Sequence, residues 1–266
     1  MDVEQLKQGS RESWGKGDYA PLSELLRPAA HALCDACAVS AGQEVLDVAA
    51  GDGNFALACA AEGASVVASD LAPVMVERGR ARSEAEGCEI EWVEADAEEL
   101  PFDDGRFECV GSVFGAMIAP RPDVVARELF RVVRPGNTVG MVAWVPGSVP
   151  TQTFEIGRRY ADAPGDVPSP EEWGDEDVVR ERFGELANSI EMERRALPWS
   201  GDSPGAFIEH LERHGPVQIA MRDRMAPDVY ARMRAEMVDR IRELAGGDGP
   251  FTLDAEYLLT VARRRG

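Results

Sequence analysis

The sequence predicts an α/β fold: three layers built on a seven-stranded, mostly parallel sheet. Three observations predict it. From residue 44 to residue 144, short apolar runs alternate with stretches of helical apolar spacing. That is how strands joined by crossover helices read. The first run, Val45 to Val48, ends in Gly51-Asp52-Gly53 before a helix-compatible stretch, so a strand meets a helix through a tight turn. Two later strand-like runs, 189–198 and 256–262, bring the strands to seven.

Taken in order, residues 1–18 are polar with isolated aromatics, Trp14 and Tyr19 flanking Gly15-Lys16-Gly17-Asp18. They read as an arm that either packs on the core or covers the glycine turn. Residues 21–38 place Leu22, Leu25, Leu26, Ala29 and Leu33 on one helical face, with a break expected at Pro28. Strands follow at 44–49, 65–69, 89–94, 107–113 and 137–145, and helices at 54–61, 73–86 and 123–133. Pro73 suits a first helical position. Residues 146–170, rich in Pro, Gly and Ser, read as connection, and 171–183 as one helix. Ser203 before Pro204 caps a helix that ends at Gly215. Residues 227–245 carry an apolar stripe, and Arg232–Glu236 and Glu236–Arg240 have i,i+4 spacing.

The chain has 266 residues, 44% of them hydrophobic, and a formal charge of −20. A core of good size is available, and general disorder is excluded. So acidic a surface repels phosphate backbones and anionic lipid, which argues against nucleic acid or a membrane surface as partner. No apolar run reaches the roughly 18–20 residues of a membrane span. The first residues lack a signal pattern, and the odd set of cysteines, Cys34, Cys37, Cys59, Cys88 and Cys109, suits a reducing cytosol. A cytoplasmic protein is expected. Cys34-x-x-Cys37 has no second pair to complete a metal set, so buried thiols and no metal are expected.

Ligands of parallel sheets bind beyond the C-terminal ends of the strands. Gly51-x-Gly53-x-x-Ala56 meets the loose dinucleotide pattern, but Asp47 places a carboxylate beside the turn, where it repels a pyrophosphate and attracts an ammonium. Asp70, after the second strand, can accept from a ribose diol, and Asp96, after the third, from an adenine amine. Such a row of acids suits a ligand that is cationic at one end, with a diol in the middle and an exocyclic amine at the other. S-adenosylmethionine has that layout.

On these residues the chain resembles the class I S-adenosylmethionine-dependent methyltransferases. The matching segments are Val45 to Gly53, Asp70, Glu94-Ala95-Asp96-Ala97-Glu98-Glu99-Leu100-Pro101-Phe102, Arg106 to Ser112, and Leu129 to Gly136. They cover residues 41–144 and look most like the branch holding ubiquinone/menaquinone-type small-molecule enzymes. Departures are Ala50 and Asp52 in the first motif, Asn137 after Gly136, and Glu108 after Phe107.

The resemblance implies a Rossmann-like core (41–199 and 250–266), an N-terminal helical arm (1–40) and a helical lid (200–249) over the acceptor, all one domain. It implies that Asp47 orients the methionine ammonium and that Ala49, Gly51, Gly53 and Asn54 line the methionine and ribose. Asp70 then holds the ribose, Leu71 packs on adenine, and Asp96 and Ala97 meet the adenine edge. Ser112, Val113, Phe114 and Met117 lie by the sulfonium, with Trp14 and Tyr19 as covering aromatics. In-line methyl transfer to a small apolar or aromatic acceptor follows, leaving S-adenosylhomocysteine. Among three histidines, His210 and His214 share a helical face with Phe207 and Leu211 and are the candidate bases or substrate contacts. Met117, Trp144, Trp199 and Phe207 are candidate pocket walls. Two other classes stay open, a non-catalytic cofactor-binding protein and an NAD-dependent oxidoreductase. The sequence leaves the acceptor and the oligomeric state open, a homodimer included.

Overall fold

The computed structural model describes residues 3–161 and 167–266. The chain forms α1 (Val3–Trp14), α2 (Ala20–Cys37), β1 (Glu44–Val48), α3 (Asn54–Ala61), β2 (Ser65–Asp70), α4 (Pro73–Glu86), β3 (Ile90–Glu94) and β4 (Phe107–Val113). After these come α5 (Pro122–Val132), β5 (Val133–Trp144), α6 (Val149–Tyr160), α7 (Glu176–Gly184), β6 (Ala187–Gly201), α8 (Pro204–His214), α9 (Pro216–Arg224), α10 (Pro227–Ala245) and β7 (Phe251–Arg264).

The seven strands lie in the order β3-β2-β1-β4-β5-β7-β6. β1 to β5 pair in parallel, whereas β7 runs antiparallel between β5 and β6. Strand order reverses at β1. Right-handed crossovers therefore put α3 and α4 on one face and α5 on the other. One registered row, Trp92–Ala68–Asp47–Gly111–Gly140, crosses the sheet. Its small residues admit helices: a Cβ on Gly111 would stand 2.2 Å from the Phe55 ring of α3, and one on Gly140 2.6 Å from Cys37 Sγ of α2. Trp92 fills the end of the row, beneath Gly79 of α4. On the opposite face Phe130 of α5 meets Phe183 of α7 with ring centres 4.9 Å apart.

Several expectations are corrected. α2 passes through Pro28 without a break. Its inner face, Ala29, Ala30, Leu33, Cys34 and Cys37, is buried along its length, and that packing outweighs one lost backbone hydrogen bond. The polar start of the chain is helix α1. Residues 149–160 within the expected connection are helix α6; 162–166 of that connection lie outside the described residues. The helix expected over 171–183 divides at Asp175, which caps α7 by accepting from the Asp177 and Val178 amides. Glu236 pairs with Arg159 and Arg240 with Gln152, both of α6, while within α10 Arg240 also pairs with Glu243 and Arg232 with Asp228, so tertiary and other intrahelical partners take the place of the expected i,i+4 pairs. Ser203 caps α8 as expected. Cys34, Cys37, Cys59 and Cys109 are buried.

Candidate functional site

The strand order reverses between β1 and β4, and in such sheets ligands bind beyond the C-terminal ends of the strands flanking that point. β1 leaves the sheet through Ala49, which sits in the left-handed region at φ 54°. Gly51 (φ 59°) and Gly53 (φ 95°) continue the turn, and Gly53 N–H closes it on the Ala50 carbonyl at 2.9 Å. A Cβ on Gly53 would meet Trp92 at 2.9 Å, so protein fills that side. A Cβ on Gly51 would enter open space capped by Tyr19, whose ring edge lies 3.8 Å away. That gap is a cradle that only glycine leaves free.

Two carboxylates, Asp47 and Asp70, stand beside it, and a third, Asp96, follows the next strand, β3. Asp47, 1% exposed, accepts from Ala56 N–H in the first turn of α3 at 2.9 Å. Burial raises its pKa well above the ordinary range, and the Asp70 and Asp52 charges add to this, against the lowering by the Ala56 bond. Asp70 accepts from Gly51 N–H at 2.9 Å and Ala72 N–H at 2.8 Å. Burial pushes it up to about 6, although the Ala72, Gly51 and Leu71 amides favour its charged form. Asp96 accepts from Glu98 N–H at 2.9 Å and from Lys7 Nζ at 2.6 Å. Beside it Ala97 is buried.

On the β4 side, the buried Ser112 hydroxyl donates to the Val48 carbonyl at 2.6 Å and accepts from Ala116 N–H at 2.9 Å, tying β4 to β1. Val113 ends β4. Phe114 follows with φ 57°, a strained conformation for a bulky residue. Its ring stacks on Trp144 at 3.8 Å. From there rings continue through Trp199 (5.6 Å from Trp144) to Phe207 of α8 (5.5 Å from Trp199). Among the described residues the buried Trp199 indole N–H finds no hydrogen-bond partner. Met117 is buried in the 3-10 turn Ala116–Ile118.

The structure thus gathers Asp47, Ala49, Gly51, Gly53 and Asp70 at the glycine turn, with Ser112, Phe114 and Met117 alongside. Asn54 turns elsewhere: its amide donates to the Ser23 carbonyl at 2.8 Å and accepts from Arg82 at 3.0 Å. Trp14 meets Tyr19 edge-on at 5.8 Å. Burial, then the Asp52 and Asp70 charges, raises the Tyr19 phenol. His210 and His214 are half-buried rather than turned into the apolar side. Their rings lie 4.7 Å apart, and His214 Nδ1 is 3.1 Å from the Asp18 carbonyl, where α8 meets the arm. Burial, then His214 and Arg213, lowers the His210 pKa.

Sequence reasoning missed Lys7, Arg11, Ser23 and Arg82. Lys7 and Arg11 lie three and four residues from other polar positions, so no apolar stripe flagged their helix. Among the described residues no cluster suited to a metal ion occurs, and no helix is long and apolar enough to cross a membrane.

The residues present fit S-adenosylmethionine: a Cβ on Gly51 would meet only the Tyr19 ring edge, Asp47 and Asp70 lie beside the turn, and among the described residues no cationic side chain is bonded to either carboxylate. A family model described as "Methyltransferase domain" matches residues 45–136. A protein of Mycobacterium tuberculosis described as uncharacterized is 36% identical over 259 residues, 96% of this chain and 93% of the relative. A demethylmenaquinone methyltransferase of Clavibacter sepedonicus is 41% identical over 115 residues, 43% of this chain and 46% of the relative. Among solved structures, phosphoethanolamine N-methyltransferase 2 of Haemonchus contortus with S-adenosyl-L-methionine aligns with a TM-score of 0.59 and 17% identity, covering 90% of this chain and 53% of that one.

Proposed function

The chain belongs to the S-adenosylmethionine-dependent methyltransferases, and from that premise we propose that it methylates a small, apolar or aromatic acceptor held against the row of rings from Phe114 to Phe207. The observation that carries the cofactor half is the set of carboxylates, Asp47, Asp70 and Asp96, at the ends of three adjacent strands, the first two beside the glycine turn. The acceptor half rests on the aromatic row and on the unpartnered Trp199 N–H, a donor ready for an acceptor oxygen. The relative named a demethylmenaquinone methyltransferase favours the quinone-type branch.

When bound, the cofactor supplies an electrophilic methyl group on sulfur. The residues of the chain do the rest. Asp47 and the Ala49–Gly53 backbone hold the methionine end, Asp70 the ribose, and Leu71, Asp96 and Ala97 the adenine. Residues 200–249 act as the lid and, with the arm, exclude water and align the acceptor. His210, whose pKa burial lowers, is suited to take a proton from a hydroxyl acceptor through an imidazole nitrogen. His214 orients the arm through Asp18. A cytoplasmic setting fits this chemistry.

Calorimetric titration with S-adenosylmethionine and S-adenosylhomocysteine tests the cofactor half. Binding by the wild type and its loss in Asp70→Ala are expected; equal binding by both would refute the assignment. Turnover of phenols, quinols and amines with methyl-labelled cofactor tests the acceptor half.

A further inference from the structure

Helix α1 grips two of the residues assigned above to the adenine. Lys7, 6% exposed, reaches Asp96 Oδ2 at 2.6 Å and Glu98 Oε2 at 2.6 Å. One turn later Arg11 Nε donates to the Leu71 carbonyl at 3.2 Å. A buried ammonium is stable only when paired, and Lys7 has two carboxylates. Glu98 does not depend on it alone. Its side chain is fully buried, yet it accepts from Arg121 N–H and Arg121 Nε, both at 2.7 Å. The Lys7 contact with less structural need is therefore the one to Asp96, which keeps 22% of its side chain exposed.

Asp96 is held on both oxygens: Oδ1 by Glu98 N–H and Oδ2 by Lys7. Each carboxylate oxygen retains a further lone pair, so the carboxylate is fixed in direction but still able to accept from an amine. Burial alone would lower the Lys7 ammonium, but its hydrogen bonds to Asp96 and Glu98 outweigh that and raise it, so the clamp stays charged at neutral pH.

We propose that Lys7 is a positioning residue for purine recognition: by fixing the Asp96 carboxylate from α1, it sets a preference for a 6-amino over a 6-oxo purine. A 6-amino group donates to that carboxylate, whereas a 6-oxo group turns a second acceptor toward it. This role rests on the cofactor assignment above. A lysine that merely tied α1 to the core would affect both purines alike.

The test is titration of the full chain with S-adenosylhomocysteine and its 6-oxo analogue, S-inosylhomocysteine. The wild type is expected to favour the adenosyl compound by roughly tenfold or more. Lys7→Met should reduce that ratio several-fold, and Lys7→Arg should keep most of it. Glu98→Gln, which loosens the tie while leaving Lys7 on Asp96, should also keep it; this variant decides the matter if Lys7→Met does not fold. A ratio unchanged in Lys7→Met, or lost in Glu98→Gln, overturns the proposal. So does a wild type that binds both compounds equally, which leaves the cofactor assignment standing. A wild type that binds neither removes both.

Discussion

The carbonyl oxygen of Ala49 lies 2.0 Å from where a Cβ on Gly115 would stand. The loops leaving β1 and β4 are thus in backbone contact, each next to a strained residue, Ala49 on one side and Phe114 on the other. Gly115→Ala must push these loops apart. We expect it to lower stability by about 1–3 kcal/mol and to weaken S-adenosylhomocysteine binding as well, read by urea unfolding and calorimetry. Intact affinity would show that the contact does not shape the cofactor cradle.

With Asp70 on the ribose as proposed, cofactor binding should be sensitive to acid. Its pKa is pushed up to about 6, and the carboxylate form is the one that accepts from a diol. Affinity should fall by up to tenfold per pH unit below about 6, a slope that Asp70→Ala abolishes along with most of the binding. For the free protein the sign is opposite. A carboxyl raised above its unfolded value favours folding below about pH 4, and that contribution is lost as pH climbs through about 6.

Arg82 joins three elements. It bonds Ser23 of α2 at 3.1 Å, Asn54 of α3 at 3.0 Å, Asp52 of the glycine turn at 3.2 Å, and Glu24 and Glu86. Arg82→Ala should cost about 1–3 kcal/mol in urea unfolding, because it leaves the buried Asp52 charge with the Ser23 hydroxyl but without its cation. A loss below about 0.5 kcal/mol would class these as surface pairs.

Replacing His210 should separate chemistry from binding. His210→Ala is expected to slow turnover of a hydroxyl acceptor by about 100-fold and leave cofactor affinity within twofold of wild type. The acid limb of the wild-type rate profile should lie below the usual histidine range, since burial lowers this imidazole. His214→Ala should act differently, freeing the arm at Asp18 and weakening the cofactor.

Gly205 sits in the first turn of α8, where a Cβ meets nothing within 4 Å. Gly205→Ala should stabilise the protein by about 0.5–1 kcal/mol, read as a higher melting temperature.

The sheet and the glycine turn were legible in the sequence because β1 to β5 are short, apolar and punctuated. β4, for one, has the bounds expected of it, and so do α3, α4, α8 and α10. The arm was not legible. α1 is polar on most faces and is held by Lys7 and Arg11 reaching Asp96 and Leu71, partners some 60 to 90 residues away that no periodicity reveals. α6 was hidden by a proline-rich composition, although Pro150 falls in its first turn, where proline is tolerated. In the site, Asp47 and Asp70 stood out as acids after apolar runs. Asn54 has a polar side chain of the right type, but its direction is set by Ser23 and Arg82.

The ladder between β6 and β7 starts at the pair Gly201↔Phe251 and runs to Ala187↔Arg264. Residues 202–250, with α8, α9 and α10, therefore leave and re-enter the fold at a single rung. Such a segment is an exchangeable cassette. Its two ends are already held side by side, so swapping its contents leaves the β6–β7 pairing intact, provided the contacts to the arm through His214 and Asp223 are kept. If this stretch is the lid proposed above, acceptor choice can diversify by trading one contiguous piece of chain whose exit and entry are fixed by one rung of the sheet.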